Sequence, residues 1–250
     1  IITFSNNKGG VGKTTSCINL AAQAALKGKV LLIDADPQAN LSKNLDFENP
    51  ESTINDLLLG NPYKIINEVR DNIDLLPSSE ALTGIELKIA DTLARETILK
   101  RALEKLDYDF VFIDTPPNMS LLTVNVLSCA DYVIIPVEAS QYSIEGVEKM
   151  ISFIRKVKTS VNPELNLLGI LITRYDQRLK ISKHIQNDIK EKGWDTALFN
   201  TVIRSNTAIP NSQYKTVRQT IFEYDAQSNA ALDYASLATE VISKIQLYRS

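Results

Sequence analysis

Ile1-Ile2-Thr3-Phe4-Ser5-Asn6-Asn7-Lys8-Gly9-Gly10-Val11-Gly12-Lys13-Thr14-Thr15 opens the 250-residue chain and decides how the rest is read. Ile1–Ser5 is a short apolar, β-branched run that predicts a strand. Ser16-Cys17-Ile18-Asn19-Leu20-Ala21-Ala22 carries on from the stretch and predicts a helix over 14–27. The glycine-rich turn between them is built for phosphate. Backbone N–H groups of Gly9, Gly10, Val11 and Gly12 can turn inward around phosphate oxygens, and the helix N-terminus adds its positive end. Lys13 is placed to reach the β- and γ-phosphates, and Thr14 to give its hydroxyl to Mg²⁺. Thr15, one residue further into the helix, is placed to touch the α-phosphate.

Outward from this loop, apolar runs alternate with helical patterns. Strands are expected at Ile1–Ser5, Val30–Asp34, Ile73–Pro77, Phe110–Asp114, Tyr132–Val137, Leu167–Thr173 and Leu198–Ile203. Helices are expected at 14–27, 80–90, 95–106, 120–128, 143–159, 179–192 and 227–247. Runs such as Val-Leu-Leu-Ile and Phe-Val-Phe-Ile suit parallel strands covered on both faces. The fold class that follows is α/β, a doubly wound, mostly parallel sheet flanked by helices, of the P-loop NTPase type. No Pro/Gly/Ser-rich linker, repeat or low-complexity tract interrupts residues 1–250, so one domain is expected.

Composition excludes several classes. Hydrophobic residues make up 44% and charged residues 23%, which excludes a disordered or collagen-like chain. Cys17 and Cys129 are too few and too far apart for a disulfide framework or a zinc ribbon, and predict a reduced, cytoplasmic setting. No run approaches the roughly 18 apolar residues of a membrane helix. The chain starts at Ile1 rather than Met and shows no signal peptide, so residues removed upstream are expected. The net charge is −3, yet residues 149–218 hold 13 Lys/Arg against 5 Asp/Glu. That imbalance can make a basic face on an acidic protein.

Two carboxylate segments end at the same sheet edge as the loop, where ligands bind in open α/β sheets. Phe110-Val111-Phe112-Ile113-Asp114-Thr115-Pro116-Pro117 is a hydrophobic strand ending in an acid, the Walker B arrangement. Asp114 is expected to bind Mg²⁺ through a water, because Mg²⁺ keeps several waters when phosphates supply other ligands. Asp34-Ala35-Asp36-Pro37-Gln38-Ala39-Asn40 follows another strand, and a carboxylate there is costly unless it meets a cation or donors.

The loop departs from the ordinary pattern in one respect: Asn7 stands where the first glycine is usual, and an extra cation, Lys8, follows it. With Lys-Gly-Gly-Val-Gly-Lys-Thr over residues 8–14, the chain resembles the deviant Walker A ATPases, and within them the ParA/Soj-type partition proteins. The resemblance spans nearly the full length. It implies that Lys8 crosses a nucleotide-sandwich homodimer to the partner's phosphates, where it offsets charge on the transferring group. It implies that 34–40 is a switch, with Asp36 on the attacking water and Asp34 in a supporting place near Mg²⁺ or the loop threonine. Arg174, at a strand end, and the loop at 204–210 with Ile209 and Pro210 are implied to frame the adenine. Arg178, Lys180, Lys183, Lys215 and Arg218 are implied to bind non-specific double-stranded DNA once ATP has made the dimer.

The function implied is an ATP-dependent partition ATPase for a plasmid or chromosome, slow alone, nucleoid-associated and stimulated by a ParB-like centromere-binding partner. The short form of the family fits, without an N-terminal helix-turn-helix extension. Other readings share these residues. A MinD-like membrane-surface switch needs an amphipathic tail, and Lys244-Ile245-Gln246-Leu247-Tyr248-Arg249-Ser250 is a poor anchor. A nitrogenase-iron-protein-like reductase needs two cluster cysteines after the Walker B strand, and only Cys129 is there. An ATPase that positions another cargo stays open. His184 is the sole histidine and reads as a solvated helix residue.

Overall fold

The computed structural model describes residues 1–140 and 143–249. Among the described residues seven strands form one sheet: β1 (Ile2–Phe4), β2 (Val30–Asp34), β3 (Ile66–Arg70), β4 (Ile73–Leu76), β5 (Phe110–Asp114), β6 (Tyr132–Glu138) and β7 (Asn166–Thr173). Their spatial order is β3-β4-β2-β5-β1-β6-β7, and only the β3–β4 pair is antiparallel. The central strands are the continuous apolar runs, and β2 is buried along its entire length. Helices cover both faces of the sheet, as parallel crossovers require.

The helices are α1 (Lys13–Ala24), α2 (Asn40–Asn44), α3 (Ile54–Leu59), α4 (Ile85–Lys88), α5 (Ile98–Leu103), α6 (Leu121–Cys129), α7 (Ser143–Ser160), α8 (Lys180–Glu191), α9 (Ala208–Ser212), α10 (Ile221–Asp225) and α11 (Asn229–Arg249). On one face α1 and α11 pack over β1, β2 and β5, with Phe4, Leu20, Tyr234 and Leu237 in the shared core. On the other, α3, α5 and α6 cover β2 and β5, while α7 and α8 cover β6 and β7. Among the described residues no helix is long and apolar enough to cross a membrane. Cys17 and Cys129 are buried free thiols.

Several elements differ from expectation: the short helices α2, α3, α9 and α10 were not anticipated, and four further departures have identifiable causes. The edge strand β3 was not anticipated. Its sequence, Ile-Asn-Glu-Val-Arg, is largely polar and it hangs on β4 through a tight turn at Asp71-Asn72, with Asn72 at φ 58°. Leu198–Ile203 is not a strand: it follows β7 with isolated bridges at Leu198 and Arg204 only. Phe199 N and Ile203 N still donate to Ile170 O and Ile172 O of β7 at 3.0 and 2.9 Å, but between them the Thr201 N–H that would continue the ladder goes to the Glu240 carboxylate of α11 at 2.9 Å. The expected helices 80–90 and 95–106 are each a 3₁₀ turn followed by a short helix. Gly84 at φ 75° breaks the first, and Ala94 at φ 52° precedes the second.

Parallel pairing brings the C-terminal ends of five strands to one edge. Phe4 and Asp34 both sit in register with Asp114, and Glu138 with Thr173. The chemistry gathers there.

Candidate active site

Between β1 and α1 the glycine loop turns so that α1 begins at Lys13. Gly12 caps it at φ 88°, a conformation that favours glycine, and its carbonyl accepts from Ser16 N at 2.9 Å. The Thr173 hydroxyl, at the end of β7, donates to Val11 O at 2.9 Å and fixes the loop from the far side. Lys13 is buried and donates to Lys8 O at 3.3 Å, an internal hold on the loop.

The loop forms one wall of a cleft of about 760 Å³. Gly9, Gly10, Gly12, Lys13, Thr14 and Thr15 line it, facing Asp36 on one side and Arg174, Ile209 and Pro210 on another. The residues expected to touch phosphates and those expected to frame a base therefore share one cavity, large enough for a nucleotide.

The acids are held differently. Thr14 Oγ1 donates to Asp114 Oδ2 at 2.5 Å, while Asp114 Oδ1 is buried without a hydrogen-bond partner. A buried acceptor left open beside a threonine hydroxyl fits a hydrated divalent cation, the first-choice environment for Mg²⁺. Among the described residues no cluster of three or more His, Cys, Asp or Glu could hold a metal alone. Asp34 stands apart from this expectation. Its Oδ2 accepts from Ser42 N at 2.8 Å and Ser42 Oγ at 2.7 Å, and its Oδ1 from Asp36 N at 3.1 Å. Both Asp34 oxygens accept bonds from its own loop, whereas Thr14 and Asp114, also expected at the metal, bond to each other.

Burial dominates the electrostatics. It pushes Asp114 up to about 8, helped by the neighbouring Asp34 charge and opposed by the Thr14 bond and Lys13. Burial also raises Asp34 to about 6 and raises Asp36, while Gln38 N and Lys13 pull Asp36 back. Lys13 is lowered by burial against the pull of Asp114 and Asp36. A site that holds its carboxyls uneasily ionised is one prepared for added positive charge.

Lys8 lies elsewhere. It is exposed, its Nζ donates to Ser140 Oγ at 2.9 Å, and it borders a separate hollow of about 270 Å³ with Glu138, Glu145 and Lys149. It does not line the cleft that Lys13 lines. Arg174, at φ 50°, is exposed and reaches Glu138 at 3.5 Å.

The basic residues do not form one cluster. Lys180 and Lys183 are exposed on α8, beside β7. Arg178 is exposed and forms a two-pronged pair with Asp176, at 2.9 and 2.6 Å. Arg218 sits at the opposite end of the strand order, where its carbonyl accepts from Arg70 of β3. Its side chain is only 12% exposed, closed in by Asp46 and Glu48, and Lys215 lies 3.9 Å from Glu48. Arg218 therefore departs from the expected open basic face: its charge is already matched.

Two cleft residues, Gln213 and Tyr234, were not singled out from the sequence, and Arg204 entered only as the start of the loop at 204–210. Gln213 exchanges hydrogen bonds with Thr15, its amide donating at 2.9 Å. Tyr234 meets Ser16 at 3.3 Å, and Arg204 is clamped by Asp233 at 2.6 Å. None carries a motif. Their place at the cleft is legible only once the chain has folded back.

A family model described as an AAA domain matches residues 1–167. The chain is 37% identical over 246 residues to the chromosome-partitioning ATPase Soj of Thermus thermophilus, covering 98% of this chain and 96% of that one. A putative plasmid partition protein from Borrelia burgdorferi bound to AMPPNP superposes with a TM-score of 0.80 at 27% identity, covering 99% and 98% of the two chains. Cobyrinic acid a,c-diamide synthase from Mycobacterium smegmatis, with a bound ATP analogue and magnesium, gives 0.80 at 29% identity over 95% and 92%.

Proposed function

The chain belongs to the ParA/Soj family of partition ATPases and hydrolyses ATP with magnesium, and from that premise we propose that its site is completed only by a second copy. The observation that carries this is the place of Lys8: a cation in the phosphate loop, exposed and outside its own cleft. A lysine that serves no phosphate in its own chain is well placed to serve the partner's. Two protomers facing across ATP would each lend one.

The roles of the remaining residues follow. Lys13 and the loop N–H groups hold the β- and γ-phosphates. Thr14 and Asp114 would hold magnesium, which supplies charge neutralisation at the phosphates when bound. Asp36 orients the water for in-line attack, and Lys8 steadies the transferring group from across the dimer. The intrinsic rate is slow, since no monomer has the full set of cations. A ParB-like partner speeds it.

The ATP dimer binds duplex DNA without sequence preference and so rides the nucleoid in the cytoplasm, carrying a plasmid or chromosome. Pairing doubles a modest basic surface, and each neutralised phosphate releases counterions. Lys180 and Lys183 carry most of this contact, and Arg218 least, given its acidic neighbours. The test is duplex binding by fluorescence anisotropy with Mg-ATP or Mg-ADP across a salt series. Binding that needs ATP and falls steeply with salt is expected. Lys180→Ala/Lys183→Ala should flatten the salt slope, by roughly two to four counterions per dimer. Equal binding with ADP, or salt-independent binding, would contradict the proposal.

A further inference from the structure

We propose that Ser42 and Ser78 are positioning residues for hydrolysis, acting through Asp36. The inference rests on the reading of Asp36 as the residue that orients the attacking water. Asp36 lies in the loop after β2, where its backbone is clamped from both sides. Its N–H donates to Asp34 Oδ1 at 3.1 Å. Its carbonyl accepts from Ala39 N at 2.9 Å and from Ser78 Oγ at 2.8 Å, with Ser78 two residues beyond β4. Its own Oδ1 accepts from Gln38 N at 2.9 Å, so the carboxylate turns with the backbone.

Ser42 joins the two clamps. Its hydroxyl donates to Asp34 Oδ2 at 2.7 Å and accepts from Ser78 N at 2.9 Å. Asp34, Ser42 and Ser78 are all 0% exposed. A buried carboxylate, two buried hydroxyls and a strand end thus converge on one loop residue. Burying that much polarity is costly, and loop packing alone could be achieved with apolar side chains. What this arrangement adds is direction: it ties Asp36 to the end of β4 rather than to the phosphate loop across the cleft. Misplacing a catalytic group by about 1 Å can lower a rate by about 100-fold.

Ser78→Ala leaves the Asp36 carbonyl with the Ala39 donor, so the loop keeps its fold while losing its tie to β4. Steady-state ATP turnover with magnesium on the full chain is the measurement, with thermal melts to confirm folding. Ser78→Ala and, as a second variant, Ser42→Ala should each lower kcat roughly ten- to a hundredfold. KM for ATP should stay within about twofold of wild type, because no phosphate contact is touched. Adding Ser78→Ala to Asp36→Ala should cost less than about twofold more, since the serine acts only through the aspartate. Full turnover in folded Ser78→Ala and Ser42→Ala beside an inactive Asp36→Ala would overturn this proposal and leave the Asp36 role intact. Further loss in the double variant would overturn it as well. Wild-type turnover in Asp36→Ala would instead remove the reading beneath it.

Discussion

Asp114 shows how one side chain records a missing charge. Its Thr14 bond uses one oxygen, the other is buried without a partner, and burial raises its proton affinity to about 8. Without nucleotide and magnesium the folded chain therefore keeps a proton that the unfolded chain releases near pH 4. The folded state binds more protons across that window, so stability falls as pH rises from about 4 to about 8. Asp114→Asn removes the titrating group and keeps an acceptor for Thr14. Its nucleotide-free melting curves should be flatter across this range, and at pH 8 it should be more stable than wild type by up to a few kcal/mol. An unchanged pH dependence in the variant would show that the carboxyl is comfortably ionised in the fold. Added magnesium with ATP should stabilise wild type and leave the Asn variant much less affected. The acids at 34, 36 and 114 were readable as a group because each follows an apolar run that could only be a buried strand. Their separate duties were not. Asp34 looks equivalent to Asp36 in sequence, and only the bonds from Ser42 reveal that it is a loop anchor.

Elements were legible where a single cause dictated them. The strands β2, β5, β6 and β7 are buried on both faces, so their uninterrupted Val/Ile/Leu/Phe runs announce them. The strand β3 has one pair partner and a solvent-facing side, and its Asp71-Asn72 turn was the signal that could have found it. Leu198–Ile203 has strand composition, but its ladder to β7 is interrupted where Thr201 N turns to Glu240, a contact 39 residues away that no local pattern can reveal. Phe199 nonetheless packs flat on β7 because Gly169 has no side chain. A Cβ there would lie 2.5 Å from Phe199 Cε2 and 2.8 Å from Ala197 O. Gly169→Ala should therefore push the 197–203 segment off the sheet and destabilise the chain by roughly 1–3 kcal/mol in urea melts. Because that segment leads into the base-side wall of the cleft at Ile203 and Arg204, ATP affinity should fall too. Wild-type stability in this variant would mean the segment is held by its carboxylate cap rather than by the ring.

The basic residues read from the sequence as a DNA face are divided between two places. Lys180 and Lys183 lie beside one end of the sheet, while Lys215 and Arg218 lie at the other, next to Asp46 and Glu48. The local excess of lysine was visible in the sequence, but its division into two places depends on the order of the strands. Lys8 is set apart in the same way: it belongs to the phosphate loop but borders a separate hollow, the placement from which a role toward a neighbouring copy is proposed. A chain built this way should hydrolyse ATP as a pair. The most direct measurement is turnover per chain as the protein is diluted, with the oligomeric state followed by light scattering and Asp36→Ala used to hold the ATP-bound form. Turnover that falls with dilution as the ATP-bound dimer dissociates, and that Lys8→Ala abolishes at every concentration, is the expected result. Constant turnover per chain in a sample that stays monomeric with ATP would contradict it.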